Sequence, residues 1–464
     1  MIAPHHVAVI DIGKTNAKLA IVDPQNWQEL AVRTMTNRGL PGPPYPHFDV
    51  EAIWAFLLNS MRELNVQYPV ASISITTHGA SGVLLTEHGE LAMPVLDYEH
   101  DGPDSMRDAY EALRPDFSET GSPKIAVGLN LGAQFFWQMQ AFPDLAANVQ
   151  HMLTYPQYWA YRLTGVMANE ATSLGCHTDL WNPWKGAFSS MVETLDWTPL
   201  MAPVRKATDV LGLLHAHLAD QLGLSASVNV YCGIHDSNAS LFPHLMQRQA
   251  PFSAVSTGTW VICMSVGGKP IEPDPMRDTL VNVNAFGDPV PSSRFMGGRE
   301  FDLLMGDRKA AASERAVSRI LDDKIMLFPS VENQTGPFQG YEPKWTVAPD
   351  TLTDGEYYAA VSFYLALVTN VCLDLCGADG PIIVEGPFGQ NKFYLHMLES
   401  ACGRRVVRSE ASATGTSIGA AMLTINNPDE GSQESLPAEF AATDERFVAY
   451  ARLWQEQLTA RATD

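Results

Sequence analysis

The N-terminal part of the chain alternates short apolar runs with polar turns. Residues 7–10 and 17–22 are apolar runs on either side of a Gly-containing turn, and this pattern predicts a β-hairpin. Residues 49–65 carry apolar side chains at helical spacing, which predicts a helix with one apolar face. The apolar run 70–76 that follows is typical of a strand. We therefore expect a hairpin, a helix and a further strand in succession.

Later apolar segments predict the remaining elements by their length and by the turns that flank them. Predicted strands lie at 83–85, in a hairpin with a turn at 87–90, and at 228–231, 252–255, 261–266 and 381–384. Predicted helices lie at 130–165, ending at Gly165, and at 357–376 and 392–401. The apolar segment 417–423, with Gly415 and Gly419, is expected to pack closely over the Gly-rich turn at 385–391, and 425–437 is expected to be a polar linker.

The tip of the first predicted hairpin has residues that suit phosphate binding. Gly13, Lys14 and Thr15 match the end of the P-loop pattern GxxxxGK[ST], but that pattern also needs a glycine at position 8 and a helix directly afterwards. Position 8 is Ala8, and an apolar strand follows the turn. A hairpin tip of small and polar residues instead presents successive N–H groups that can hold a phosphate. Asp11, at the end of the first strand, could hold Mg²⁺ through water.

Two turns just past the middle of the chain carry side chains suited to related chemistry. His235 and Asp236 lie on the first turn, and residues 257–259 form a Thr-Gly-Thr turn after the second apolar run. A carboxylate close to such a turn suits the deprotonation of an alcohol beside a phosphate. Two ordinary loops are the alternative, since these residue types are common in turns.

The Gly/Thr turns at 11–15 and 256–259 resemble each other, and their glycines are 245 residues apart (258 minus 13). Two related halves, each giving one phosphate-facing hairpin to a shared cleft, would explain this spacing and the central position of Asp236. The length of 464 residues independently predicts two domains, because it exceeds what one hydrophobic core usually supports.

Composition narrows the range of partners. The net charge of −22 argues against nucleic acid or an anionic membrane, because phosphate backbones require clustered Lys and Arg. A phosphate ligand would have to be held by backbone N–H groups and a metal ion. No segment approaches the ~18 apolar residues that span a bilayer.

Cysteine and histidine usage adds little chemistry. The six cysteines are scattered without a CxxC pair, so we expect buried thiols in a reducing cytoplasm. His215 and His217 form a His-Ala-His triplet, and on a helix their side chains would diverge, which argues against a metal site. His78 could touch a polar ligand, although a surface-loop histidine is the commoner outcome.

Six segments, in chain order, resemble motifs of the FGGY carbohydrate kinases, a family within the actin–hexokinase superfamily. They are DIGKTNAK (11–18), the segment 74–96 that begins SITTHGASGVLL, YWAYRLTG (158–165), GIHD (233–236), STGTW (256–260), and VEGPFGQN (384–391) together with SATGTSIGAAM (412–422). The resemblance covers roughly residues 7–425. It implies an α/β fold of two actin/hexokinase-like (ribonuclease H-like) domains around a central cleft, with a sugar-binding domain at 1–240 and a nucleotide-binding domain at 241–464.

The resemblance also implies roles for individual residues. Asp236 would be the general base, while the plain alternative is an aspartate that caps a turn. The implied sugar-binding residues are His78, Gly79, Ala80, His235 and Asp236. The implied ATP- and phosphate-binding residues are Gly13, Lys14, Thr15, Asn16, Lys18, Thr257, Gly258, Thr259, Gly386, Gly389 and Asn391. ATP and Mg²⁺ would be required, with Mg²⁺ near Asp11, and a homodimer is left open.

Within the family, the TT-x-G-x-x-G pattern (76–82), the His-Asp pair and the STGTW ending look most like L-fuculose and L-rhamnulose kinases. These enzymes phosphorylate the terminal hydroxyl of a 6-deoxyketose. The chain departs from the family pattern at 98–102 (YEHDG), in the EGPFG turn (385–389) and around 294–299 (RFMGGR). The alternatives are a kinase for another ketose or polyol, such as a pentulose or tetritol, and a nucleotide-binding sensor or ATPase that turns over no sugar.

Overall fold

The computed structural model describes residues 6–308, 311–409, 415–425 and 444–461. The described chain forms two compact units. Unit 1 comprises residues 6–247, 281–289 and 415–425, and unit 2 comprises residues 248–280, 290–308, 311–409 and 444–461. The sequence predicted two contiguous halves that meet at 240/241. The main crossing lies seven residues further on, and the chain returns to unit 1 twice.

The main sheet of unit 1 is built around the strand His6–Ile12, of which every residue but Asp11 is buried. It pairs antiparallel with Asn16–Asp23 and parallel with Val70–Thr77. The predicted hairpin is therefore confirmed, and strands buried on both faces read as the near-continuous apolar runs seen here. Across the sheet the strands follow the order Val210–Leu213, Asn229–Tyr231, Val70–Thr77, His6–Ile12, Asn16–Asp23 and Gln28–Thr36, with Ile234–His235 also pairing with Val70–Thr77.

The main sheet of unit 2 repeats this connectivity. Its central strand Phe252–Thr257 pairs antiparallel with Val261–Val266 and parallel with Ile382–Glu385. In both sheets a hairpin supplies the first two strands, and a strand from later in the chain adds parallel to the first. The order across the sheet is Pro289–Phe295, Val261–Val266, Phe252–Thr257, Ile382–Glu385 and Val406–Arg408. The strand Thr279–Val283 begins in unit 2 and continues into the segment 281–289 of unit 1. Shared connectivity is what two related halves would produce.

Helices and short strands complete both units. The helices of unit 1 are Val50–Asn65, Arg107–Glu111, Phe117–Thr120, Leu131–Ala141, Pro143–Ala146, Tyr155–Thr164, Ala171–Leu174, Ser190–Thr194, Ala216–Leu222, Asp236–Gln247 and Gly415–Met422. Those of unit 2 are Gly297–Met305, Glu314–Asp322, Asp354–Leu375, Lys392–Cys402 and Glu445–Arg461. The 3₁₀ turns are Gly102–Met106, Pro275–Arg277, Pro349–Thr351 and Pro387–Gln390. The short strands are Gly39–Leu40, His47–Phe48, Gly82–Leu85, His151–Thr154, Asn169–Glu170, Trp181–Asn182, Ala187–Phe188, Val204–Arg205, Leu327–Phe328 and Lys344–Trp345.

The prediction of one helical stretch over 130–165 is wrong. The first helix ends before Pro143, which has no N–H to donate and opens a separate short helix. A strand, His151–Thr154, then precedes the helix Tyr155–Thr164. This strand is also the main partner of Gly82–Leu85, so the local hairpin predicted there is incomplete. The end at Gly165 is confirmed, because that glycine adopts the left-handed conformation.

Two smaller expectations also differ from the structure, and a third concerns residues that are almost all outside the described part of the chain. His215 lies just before the helix Ala216–Leu222, so its ring approaches that of His217, with the ring centroids 5.3 Å apart, instead of diverging. The helix Gly415–Met422 belongs to unit 1, where a Cβ added to Gly419 would stand 1.7 Å from the Ala239 carbonyl oxygen, whereas the turn 385–391 belongs to unit 2. The linker predicted at 425–437 and residues 412–414 of the last motif lie outside the described residues, except for Ile425.

The helix Asp354–Leu375 is the core helix of unit 2. Among the described helices it alone is long and apolar enough to cross a membrane, contrary to the expectation that no segment approaches that length. Most of its apolar window (78%) is buried inside the protein, as in the core helix of a soluble protein. Thr353 and Glu356 form a reciprocal capping box that fixes where it begins.

Candidate active site

Asp236 lies where a strand turns into a helix. His235 ends the short strand Ile234–His235, and Asp236 is the first residue of the helix Asp236–Gln247. The two residues were predicted on a turn, and this is corrected to a strand-to-helix junction. A carboxylate in the first turn of a helix is stabilised by the unpaired N–H groups there. The junction therefore holds the carboxylate at a defined position.

The hydrogen bonds of Asp236 with described residues all fall on one carboxylate oxygen. Oδ1 accepts from the Ser237 backbone N–H at 2.6 Å and lies 3.1 Å from His235 Nε2. Among the described residues, none forms a hydrogen bond with Oδ2. Burial raises the pKa of Asp236, although 37% of its side-chain surface stays accessible, and the nearby His78 opposes this rise.

A buried carboxylate, that of Glu170, stabilises the strand-to-helix junction through Thr172. Glu170 accepts hydrogen bonds from the backbone N–H of Thr172 at 2.9 Å and from its hydroxyl at 2.5 Å. The Thr172 hydroxyl oxygen in turn accepts the backbone N–H of His235 at 3.1 Å. Burial raises the pKa of Glu170 to about 7. Burial also lowers the pKa of His235 to about 4, so its ring is neutral at physiological pH.

The predicted sugar loop lies beside His235. A Cβ added to Gly79 would stand 2.7 Å from His235 Nε2, so only glycine fits there without a shift. Ala80 adopts a φ of +55°, and its carbonyl accepts a hydrogen bond from Gln134 at 2.5 Å. His78 is buried, so the alternative of a surface-loop histidine is wrong. Its Nδ1 contacts the Gly79 carbonyl at 2.8 Å.

The tip of the first hairpin is a tight turn. The Gly13 N–H donates to the Asn16 carbonyl at 2.9 Å, and the Asn37 side chain donates to the Gly13 carbonyl at 2.9 Å. Thr15 and Asn16 are exposed at the tip. Lys18 pairs with Glu29 at 2.6 Å. Lys14 is not free at the tip, because its ammonium pairs with Asp97 and lies 3.4 Å from Glu99.

Asp11 is the next-to-last residue of the strand His6–Ile12 and accepts a hydrogen bond from the Ser417 hydroxyl at 3.0 Å. Burial raises its pKa, Lys18 opposes this rise, and the neighbouring Asp236 adds to it. Carboxylate oxygens are the hard donors that Mg²⁺ prefers, so Asp11 and Asp236 would suit such an ion. No cluster of three or more His, Cys, Asp or Glu side chains suited to a metal occurs in the described part of the chain. Mg²⁺ held largely through water and phosphate oxygens does not require one.

In unit 2, the Thr-Gly-Thr hairpin is tied to the Gly-rich turn. The Thr257 hydroxyl donates to the Glu385 carbonyl at 2.5 Å and accepts the Phe388 N–H at 3.1 Å. This hydroxyl is therefore occupied within the protein, whereas Gly258 and Thr259 are exposed at the tip. Gly386 has a φ of +80°, and an added Cβ would stand 2.0 Å from the Thr257 carbonyl oxygen.

The Gly-rich turn opens directly into a helix, as predicted. Asn391 caps the helix Lys392–Cys402, accepting the N–H groups of Phe393 and Tyr394 at 3.1 and 3.2 Å. Its amide group also donates to the Ser362 hydroxyl at 2.8 Å, so the side chain has a structural task. Gly389 is buried and contacts the Gly386 carbonyl through its N–H at 3.1 Å.

Several site residues could not be found from their local sequence. Thr172, which Glu170 holds, contacts His235 across 63 residues, and Asp97 contacts Lys14 across 83 residues. Gly298 packs on the second hairpin, since an added Cβ would stand 2.0 Å from the Gly258 carbonyl oxygen. The Gly-Gly pair at 297–298 could have indicated this close packing from the sequence, although the segment follows the family pattern only loosely.

Two sheets of one connectivity, a carboxylate at a strand-to-helix junction and paired Gly-rich turns define a two-domain α/β fold of the sugar-kinase class. The match of solved structures confirms this fold. The chain belongs to the FGGY family of carbohydrate kinases. The family's N-terminal domain matches residues 6–243, and the domain described as carbohydrate kinase FGGY, C-terminal domain, matches residues 249–434.

Curated relatives and solved structures agree with this family. The chain is 24% identical to an L-fuculokinase of Salmonella typhi over 57% of each chain, and 24% identical to a rhamnulokinase of Halalkalibacterium halodurans over 54% of each. These matches thus span little more than half the length of the relatives. A crystal structure of a carbohydrate kinase from Novosphingobium aromaticivorans is 34% identical with a TM-score of 0.89, covering 99% of both chains. A xylulose kinase from Lactobacillus acidophilus, 14% identical over 99% of this chain and 98% of its own with a TM-score of 0.78, shares the fold.

Proposed function

We propose that this protein transfers the γ-phosphate of ATP to a hydroxyl group of a ketose. The observation that carries the proposal is the state of Asp236, a carboxylate fixed through Oδ1 whose Oδ2 has no partner among the described residues. Phosphoryl transfer depends mainly on positioning and electrostatic stabilisation, so a weak, well-placed base is sufficient.

In the proposed reaction, Asp236 Oδ2 accepts the proton of the acceptor hydroxyl as its oxygen attacks the γ-phosphorus. The bond from that phosphorus to the bridging oxygen breaks, and ADP leaves. His235 holds Asp236 and, with the loop 78–82, binds the sugar. Mg²⁺ near Asp11 would neutralise the charge of the phosphates when bound.

The phosphate- and nucleotide-binding roles are likewise proposals. At the hairpin tip of unit 1, the Thr15 N–H and the side chains of Asn16 and Lys18 would contact the phosphates, while Gly13, whose own N–H donates to the Asn16 carbonyl, would keep the turn tight. In unit 2 the exposed tip at Gly258 and Thr259 would do the same, positioned by Thr257. The turn containing Gly386 and Gly389, with Asn391 fixing the helix after it, would border the adenosine. Helix N-termini and consecutive backbone N–H groups favour anions, which supports these assignments.

For the substrate we propose a 6-deoxyketohexose such as L-fuculose or L-rhamnulose. The support is the two curated relatives, whose names are L-fuculokinase and rhamnulokinase. A pentulose is the second candidate, because a xylulose kinase shares the fold. A sensor or ATPase that turns over no sugar is the alternative from another class. We also propose a cytoplasmic location, since none of the six cysteines forms a disulfide.

An ADP-release assay with a panel of ketoses and polyols tests the proposal. The panel would include L-fuculose, L-rhamnulose, D-xylulose and a tetritol, with ATP and Mg²⁺ in every reaction. We expect at least one ketose to raise ADP formation well above the rate with ATP alone. ADP release that no sugar stimulates would favour the sensor or ATPase instead.

A further inference from the structure

Lys14 is placed by the sequence in the first phosphate-binding turn, yet its side chain is engaged elsewhere. Its ammonium pairs with the carboxylate of Asp97 and lies 3.4 Å from Glu99 Oε2, and only 22% of its side-chain surface is exposed. Asp97 is itself fixed, since its N–H donates to the Pro46 carbonyl at 3.0 Å. The charge of Lys14 is thus already balanced within unit 1.

The same ammonium also contacts two aromatic rings. It lies 4.8 Å from the ring centroid of Tyr98 and 5.1 Å from that of Phe48, within the range of cation–π attraction. Both rings pack against the imidazole of His78, with centroid distances of 5.4 and 5.1 Å, and Tyr155 packs on it at 5.3 Å. Lys14 therefore supports an aromatic wall around His78.

The hydrogen-bonding state of His78 defines what this wall can bind. Its Nδ1 must carry the proton, because the Gly79 carbonyl it contacts can only accept. Its Nε2 is then an acceptor, and it is buried without a hydrogen-bond partner among the described residues. Burial lowers the pKa of His78, which keeps this tautomer neutral at physiological pH. An unpaired buried acceptor favours a ligand that brings a donor.

The charges near His78 indicate which donor fits. Asp236 and Lys14 both act on its ring electrostatically, and Lys14 is balanced by Asp97 and Glu99. A sugar hydroxyl can donate to Nε2 without introducing charge. A carboxylate of a sugar acid has no proton to donate, and it would face Asp236 with no unbalanced cation in this cluster.

We infer that Lys14 serves the acceptor side of the site: with Asp97 it fixes the aromatic wall around His78, whose unpaired ring nitrogen accepts a hydrogen bond from a hydroxyl of an uncharged substrate. Lys14 is then a positioning residue for the acceptor and not a ligand of the ATP phosphates. This inference rests on the proposed kinase function, and it assigns Lys14 to the sugar acceptor instead of ATP.

Steady-state kinetics of the full chain separate the two roles. We expect Lys14→Met to raise the KM of the ketose turned over best by about tenfold or more, while the KM of ATP stays within about twofold. Lys14→Arg keeps the charge, and we expect it to recover most of the loss. Lys185→Met, at an exposed lysine of unit 1, is the control and should match the wild type. Wild-type enzyme should phosphorylate neutral ketoses in preference to D-gluconate.

Direct ATP binding provides a readout that is independent of turnover. Titration of Lys14→Met with ATP should give a wild-type Kd; a loss of about tenfold in ATP affinity, with the acceptor KM unchanged, would overturn the inference. A preference for D-gluconate would overturn it too. If Lys14→Met shows no cooperative unfolding transition, and so is not properly folded, Asp97→Asn replaces it. This variant removes the other partner of the same ion pair and should raise the acceptor KM in the same way, with the KM of ATP unchanged. If the wild type is active and Lys14→Met has a defect specific to ATP, the inference fails and the proposed function stands. If no sugar stimulates turnover of the wild type, the proposed function fails and the inference fails with it.

Discussion

Glu170 is expected to make the protein less stable as the pH rises through the neutral range. The residue is 1% exposed, and burial raises the pKa of its carboxyl group from the ordinary 4.5 to about 7. The folded protein therefore holds this proton more tightly than the unfolded chain does. A group whose pKa is higher in the folded protein than in the unfolded chain stabilises the fold. This stabilisation is fully present at a pH below the pKa of the unfolded chain, and it is lost as the pH rises through the pKa of the folded protein.

The size of the effect follows from the two pKa values. Each tenfold change in proton affinity corresponds to about 1.4 kcal/mol, so the rise from 4.5 to about 7 corresponds to about 3 kcal/mol. Most of this stability should disappear between pH 4.5 and 7. Glutamine at this position cannot titrate, so Glu170→Gln removes the pH-dependent part whatever constant cost the substitution carries.

The measurement is the free energy of unfolding by urea at several pH values from 4.5 to 8, for wild type and Glu170→Gln. The difference between the two proteins should shift by about 3 kcal/mol in favour of the variant over this range. Glu193→Gln, at an exposed glutamate of unit 1, should show no such shift. A difference that stays constant with pH would refute the reasoning, since it would mean that Glu170 does not titrate differently in the folded state.

Three further predictions concern the proposed acceptor-binding and ATP-binding residues and the proposed base. Gly79→Ala should lower turnover by about tenfold or more, because its Cβ would stand 2.7 Å from His235 Nε2 and displace that ring; a kcat equal to wild type would contradict the packing. Gly386→Ala should raise the KM of ATP by about tenfold with little change in the acceptor KM, because φ is +80° and the new Cβ would meet the Thr257 carbonyl. The acid limb of the pH profile of kcat/KM should lie above the ordinary aspartate pKa of 3.8, because burial raises the pKa of Asp236 and the base must be ionised; a limb at or below 3.8 would argue against that role.

Gly355→Ala is a control for both glycine substitutions. Its added Cβ would have no neighbour closer than 3.5 Å, which is an ordinary van der Waals distance, and Gly355 lies in the helix Asp354–Leu375. Activity should therefore be unchanged, and alanine should be tolerated because it favours helix more than glycine does.

The elements that the sequence predicted well are those determined by neighbouring residues. The hairpins at the start of each unit follow from paired apolar runs around a Gly turn. The helix that opens at Lys392 follows from an asparagine cap after a Gly-rich turn. The prediction for 130–165 failed because apolar residues occur in its three helices and in its strand alike, and only pairing with Gly82–Leu85 distinguishes the strand.

The parts of the site that the sequence could not predict depend on distant partners. Thr172 contacts His235 across 63 residues, and nothing in the residues around Glu170 indicates that this glutamate is buried. Lys14 matched a phosphate-binding pattern by position, but its charge is balanced by Asp97, 83 residues away. Side-chain direction within a turn is set by tertiary partners, which spacing along the chain does not reveal.

The most direct test of the central claim is Asp236→Asn, assayed for phosphate transfer from ATP to the ketose that wild type uses best. Asparagine keeps the size of the side chain but cannot take up the proton of the sugar hydroxyl. We predict that turnover falls by at least ~10²-fold while the Kd of ATP is unchanged. Near-normal turnover in this variant would contradict the assignment of Asp236 as the base.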